Sequence, residues 1–475
     1  MDTRPNLRDR AVIPASLTNM FGWENIKTLT RRKESQSVRH NLNSRTSTNQ
    51  SLSNMRKKLL LGIVALIIIV ASTAGCTSNV QTGTKQPKNV TVGALLPLTG
   101  NAASIGASVN STIRVAEADV NEYLAATSAS VRVQLVIKDT GMTPEGALTG
   151  MKALHADGVT AVVGPYSSAE LKAVTPYANE NGMVLINYGS TVPSLGVARE
   201  NVFRLVPDDS HQGLALATVM QERGVKLLIP FVRDDVYGNG LFNATRTAFE
   251  QHGGIVTGGT RFAINTTNLS GALDTVRPQL TQATATYGQD AVGILFIGFE
   301  GDTIPMITTA SNDPQWSAAR WWGVEATPIN TLLANSTVAE SAARLNYSGA
   351  QQIEGQGERY THLMQNASVQ HTVQTSDGSF AYDAVWVMAR ALAETNGGNS
   401  TALREAIPRV ASSYSGITGN ATLNAVGDRA YANYDFWTIK SQNGTYIKVK
   451  TAQFRTDPIS GAAVVLPSTT TAVLR

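Results

Sequence analysis

Apolar residues along this chain fall into short runs of strand length, separated by stretches with helical spacing. Residues 90–96 form an apolar, β-branched run that stops at Pro97, and 106–124 follow with apolar positions three and four apart. A run at 131–137 and a helical stretch at 144–155 come next. Runs at 159–163, 183–186, 225–231 and 291–296 repeat the pattern, each followed by enough chain for a crossover helix. Runs that are apolar at consecutive positions are buried on both faces, and their alternation with helices predicts parallel sheets covered on both sides. About thirteen such elements exceed one comfortable sheet, so the pattern predicts an α/β chain of two lobes.

One apolar run differs. Residues 59–70 follow Met55 and the basic trio Arg56-Lys57-Lys58, and lead through Ala74-Gly75 to Cys76, the single cysteine of the chain. Basic, apolar, small is the order of a secretory signal, and the run is short of the ~20 residues that span a bilayer. The small residues before a cysteine resemble the lipobox of bacterial and archaeal lipoproteins, although Thr73 stands where such motifs carry leucine. That resemblance implies a signal peptide at 55–75 and lipid on Cys76, anchoring the protein outside the cytoplasm. An ordinary signal cleaved near a cysteine is the competing reading; no second cysteine is present to pair with it. Residues 1–54 are polar, basic and aperiodic. They read as upstream mistranslation ahead of a start at Met55, or as a disordered cytoplasmic tail before a signal anchor.

Charge follows this division. Removing the 12 basic and 4 acidic residues of 1–58 from chain totals of 39 and 35 leaves 27 against 31, so the net +4 belongs to the leader. The remainder has no nucleic-acid footprint. Without further cysteines there is no disulfide framework, and core packing alone holds the fold. Eleven Asn-x-Ser/Thr sequons after the leader (at 89, 110, 243, 265, 268, 335, 346, 366, 399, 420 and 443) suit a glycosylated surface such as an archaeal one.

In open α/β sheets ligands bind beyond the carboxyl ends of the strands. After the run at 159–163 comes Gly164-Pro165-Tyr166-Ser167-Ser168-Ala169-Glu170, and after 183–186 comes Asn187-Tyr188-Gly189-Ser190-Thr191. Ser167 and Glu170 have capping-box spacing; hydroxyls and free N–H groups at such a helix start also bind carboxylates.

With these landmarks the chain resembles the substrate-binding proteins of branched-chain amino acid ABC transporters, the leucine/isoleucine/valine-binding-like proteins of the type I periplasmic-binding fold. The resemblance runs from about Asn89 to Lys448 and rests on ordered motifs. They are Val92 to Gly100, Asp139 with Pro144, Gly164-Pro165 with Ser167-Ser168, Ser190 to Pro193, Phe203-Arg204, Asp234 to Gly238, Phe380 to Ala384, and Gly416 to Asp428. It implies two lobes joined by three crossings, near Pro207-Asp208, 345–347 and 434–437, with lobe 1 at 89–207 and 348–434, lobe 2 at 208–347 and 435–452, a linker at 76–88 and a tail at 453–475. It also implies that Ser168, Gly189 and Thr191 hold a ligand's carboxylate and amino group, that Tyr237 covers its side chain, and that Glu325 accepts its ammonium. Ile105 lies where an aromatic commonly lines the pocket and Phe299 where a tyrosine is usual, which leaves side-chain specificity open.

Other chemistry fails on inspection. Gly100 and Gly106 lack the Gly-Lys-Ser/Thr of a phosphate loop, the histidines are scattered without metal-ligand spacing, and no Gly-x-Ser-x-Gly elbow occurs. No cofactor, metal or enzymatic activity is expected. The Trp321-Trp322 pair suits sugar stacking less well than core packing. The resulting expectation is an extracytoplasmic receptor that captures an amino acid, of the branched-chain class, for ABC permease subunits. A receptor or sensor for amides, urea or aromatic acids is the alternative on the same fold. A secreted enzyme and a structural surface glycoprotein are the more distant rivals.

Overall fold

Each apolar run between 90 and 297 becomes a strand, and the strands assemble into two parallel cores. The computed structural model describes residues 86–456, except 265, 267, 268, 354, 373 and 374, and residues 463–467. Cys76, the signal and the leader lie outside the described residues. Among those described, no helix is long and apolar enough to cross a membrane.

The strands, in chain order, are β1 (Lys88–Leu96), β2 (Val131–Asp139), β3 (Ala161–Val163), β4 (Val184–Asn187), β5 (Val202–Pro207), β6 (Leu227–Arg233), β7 (Ile255–Val256), β8 (Thr260–Phe262), β9 (Val292–Ile297), β10 (Arg320–Gly323), β11 (Ser348–Gln352), β12 (Ser415–Gly416), β13 (Gly419–Asn420), β14 (Asp428–Arg429), β15 (Asn433–Gln442), β16 (Thr445–Thr456) and β17 (Ala463–Pro467). The first sheet runs β14-β5-β4-β3-β1-β2, parallel throughout. The second runs β17-β16-β15-β11-β10-β9-β6-β7, with β8 also on β6. It is parallel from β7 to β11 and antiparallel from there to β17.

Every residue of β6 and β9 is buried, as a strand covered on both faces requires. Every residue of β11 is buried too, yet its sequence is Ser-Gly-Ala-Gln-Gln. Helices Ala103–Ala126 and Ser376–Glu394 pack together beside the first sheet, and Asp209–Glu222 packs on Val236–Gln251 beside the second. Trp321 and Trp322 are core residues: the Trp321 Nε1–H donates to the Trp316 carbonyl at 2.9 Å and its ring lies 6.0 Å from Phe231.

The chain passes between the sheets three times. The first crossing follows Pro207, because β5 is in the first sheet and β6 in the second. The other two move. β11 pairs with β10, so residues 348–352 belong to the second lobe and the crossing expected at 345–347 falls at 353–356. β14 pairs with β5 while β15 pairs with β11 from Tyr434 onward, so the crossing expected at 434–437 falls at 430–432. The expected tail also begins too early, since β16 stays paired with β15 as far as Arg455 and β17 adds a further antiparallel strand.

Candidate functional site

Between the lobes, at the carboxyl ends of the parallel strands, lies a narrow cavity of about 10 Å3, room for about one water. Tyr166, Ser167, Ser168, Gly189 and Thr191 face it from the first sheet; Tyr237, Phe299 and Glu325 face it from the second. Six of the seven ligand-site residues expected from the sequence therefore meet in one place. Ile105 does not. It sits in the first turn of helix Ala103–Ala126, is 0% exposed and packs into the apolar core, turned away from the cavity by the helix that carries it.

The two strand-end loops of the first lobe are uncharged where they face the cavity and rich in donors. Ser167 caps helix Ser168–Glu180, its backbone N–H donating to Glu170 Oε2 at 2.8 Å while its hydroxyl accepts from the Glu170 N–H at 3.3 Å. This is the reciprocal cap that the Ser-x-x-Glu spacing predicts, and it aims the start of the helix at the cavity. Asn187 Oδ1 accepts from the N–H groups of Gly189 and Ser190 at 3.1 and 2.7 Å, curling the loop so that the Ser190 hydroxyl reaches Ser168 Oγ at 2.9 Å. Gly189 has no substitute: a Cβ there would sit 2.7 Å from the Tyr166 carbonyl oxygen. The buried hydroxyl of Thr191 lies beside the Asp209 carboxylate.

The second-lobe wall is acidic and aromatic. The Tyr237 hydroxyl donates to Glu325 Oε1 at 3.1 Å, and the Glu325 N–H donates to Gln212 Oε1 at 3.2 Å. Glu325 Oε2 is buried without a partner. Burial, reinforced by the negative charges of Asp209 and Asp377, pushes the Glu325 carboxyl well above the usual carboxylate range. Phe299 stacks between Tyr237 (5.1 Å) and Tyr166 (6.0 Å), and the Arg233 guanidinium lies 4.9 Å from its ring. At the rim, the Asn101 amide donates to Asp302 at 3.4 Å and the Ser104 hydroxyl to Glu300, tying the lobes together.

Sequence reasoning missed several contributors. Asp377, in the first turn of helix Ser376–Glu394, lines the cavity, and burial raises its carboxyl to about 7. Asp209 stands close enough to Glu325 to oppose its ionisation, and burial raises its own pKa to about 7 against the opposing pull of the Thr191 hydroxyl. Gln352, with its amide beside the Tyr434 hydroxyl, lines the cavity from the end of β11. Two consecutive glutamines in a strand that must be buried were the signal for it. Asp377 had none, because an acid near a helix start is ordinary.

A roomier hollow of about 270 Å3 opens beside the three crossings, with Arg429 and Arg455 among its walls. Arg429 already donates to the carbonyls of Leu205, Thr418 and Asn420, and Arg455 to Asp435. Among the described residues no group of His, Cys, Asp or Glu is arranged to hold a metal ion.

Residues 108–442 match the family described as the receptor family ligand binding region, and the chain belongs to that family. It is 29% identical over 398 residues to an uncharacterized protein of Methanocaldococcus jannaschii, covering 79% of this chain and 94% of that one. A leucine binding protein from Thermotoga maritima superposes with a TM-score of 0.63 at 19% identity, covering 76% of this chain and 97% of its own. A solute binding protein from R. palustris in complex with 4-hydroxybenzoate superposes with a TM-score of 0.62 at 14% identity, covering 78% and 97%. The fold is the type I periplasmic-binding fold.

Proposed function

We propose that the protein is an extracytoplasmic solute-binding protein that captures an amino acid between its lobes and presents it to an ABC importer. One observation carries this reading. A neutral, donor-rich wall at a helix start faces a buried carboxylate with an unpartnered oxygen across one cavity. A zwitterion leaving water needs an anion site and a cation site a few ångströms apart, because unpaired buried charge is costly. The Ser168, Gly189 and Thr191 wall takes the carboxylate, Glu325 takes the ammonium, and Tyr237 and Phe299 flank the side chain. The cavity is too small for such a solute unless the lobes part, so capture is opening and closing about the three crossings.

Relatives named for leucine support a branched-chain side chain, and the far end of the cavity decides that point. Lipid on Cys76 anchors the receptor at the cell surface; Cys76→Ser releases it to the medium with its melting temperature intact. Mass spectrometry of small molecules released on denaturation, followed by calorimetric titration, tests the central claim: the expected solute is an α-amino acid. The R. palustris neighbour and the tyrosine-rich wall favour an aromatic acid as the second reading. Recovery of an aromatic carboxylate without an amine would replace the amino-acid reading with it.

A further inference from the structure

Negative charge around the cavity exceeds what an amino acid with a neutral side chain can offset. Glu325 lines it from the loop after β10, and Asp377 from the first turn of helix Ser376–Glu394. Asp209, 0% exposed and with the Thr191 hydroxyl beside its carboxylate, adds a third acid on the Glu325 side. Among the described residues no lysine, arginine or histidine lines the cavity. The buried guanidiniums on either side are committed: Arg204 to Asp428, and Arg233 to Asp235 and Asp302, each at 2.6 Å.

A zwitterion with a neutral side chain brings one ammonium for Glu325 and one carboxylate for the opposite wall. Asp377 then has no counter-charge in a closed cavity, so it must keep its proton or bear an unfavourable unpaired charge. A first-turn acid commonly serves its own helix. That service needs no burial, and Thr375 already caps this helix, accepting from the Gly378 N–H at 3.2 Å. Asp377 is instead 8% exposed and turned to the cavity. Gln352, 3% exposed and with its amide beside the Tyr434 hydroxyl, lines the same space and offers a carbonyl oxygen to a second cation.

Resting on the reading of this cavity as an amino-acid site, we propose that its solute is a basic amino acid, with the α-ammonium on Glu325 and the distal ammonium or guanidinium on Asp377 and Gln352. Tyr166, Tyr237 and Phe299 flank the methylene stem, with ring faces that also favour a cation.

The test is calorimetric titration of the full chain, wild type and Asp377→Asn, with L-lysine, L-arginine, L-leucine and 4-hydroxybenzoate. Wild type is expected to bind at least one basic amino acid more than about tenfold tighter than leucine. Asp377→Asn is expected to weaken that basic amino acid by roughly 30-fold or more, the loss for one partner of a buried charge pair. A smaller wild-type preference, or leucine bound more tightly, overturns the proposal and leaves the amino-acid site standing. Undiminished basic binding by a folded Asp377→Asn overturns it as well; if that variant does not melt cooperatively, the wild-type ratio decides. Binding of 4-hydroxybenzoate with no amino acid bound overturns both the proposal and the reading beneath it.

Discussion

Helix Ser376–Glu394 carries two buried aspartates that do opposite things. Asp383 is saturated: it accepts from the Tyr414 hydroxyl at 2.8 Å, the N–H groups of Ile417 and Thr418 at 3.0 and 2.9 Å, and the Thr418 hydroxyl at 2.5 Å. Gly416 makes room for it, since a Cβ there would lie 2.2 Å from Oδ1. Asp377, earlier on the same helix, faces a cavity whose lining also holds an unpartnered oxygen of Glu325. Burial raises the carboxyl pKa at both, so burial alone does not separate them. The partners do. A carboxylate whose lone pairs are filled from within the chain closes a structure, whereas one facing unfilled polar atoms awaits an external donor.

The widest break in this comparison comes from Asp383→Ala. It strands four donors, two of them fully buried, and should lower unfolding free energy by about 3–5 kcal/mol in urea titration, while Asp377→Asn should leave stability unchanged or slightly raised. Glu325→Gln should reverse the pattern, with stability retained and affinity for the amino acid reduced by about 2–5 kcal/mol in calorimetry.

A pH series sharpens the contrast. Asp209 and Asp377 titrate at about 7 in the fold against 3.8 unfolded, so between those values the fold holds more protons than the unfolded chain. Stability without solute should therefore fall as pH rises from about 4 toward 7, by about 2 kcal/mol between pH 6 and pH 7. Asp377→Asn should flatten the slope. Thr191→Ala, which removes a hydroxyl but leaves backbone donors in place, should cost the least, about 1–2 kcal/mol of affinity.

Much of the fold was legible because burial on both faces writes itself into the sequence. The runs at 131–137 and 225–231 became β2 and β6 with ends displaced by two residues or none. β11 was not legible as a strand of the second lobe, because Ser-Gly-Ala-Gln-Gln has no apolar run, and so two crossings were misplaced. In the site, Ser168, Gly189 and Thr191 could be placed because they sit in loops that the topology carries to the strand ends. Ile105 could not, since the direction of a helical side chain depends on how the helix is rotated against its neighbours. Asp377 and Asp209 were hidden for another reason: their significance lies in charges brought together from segments far apart in the chain.

The separation of the two aspartates by six positions on one helix has an evolutionary consequence. On the proposed reading, exchange at 377 touches what is captured and exchange at 383 touches whether anything folds, so preference can change without loss of the fold. A library randomised at 377 should yield mostly folded proteins of varied preference; the same library at 383 should yield few folded proteins at all.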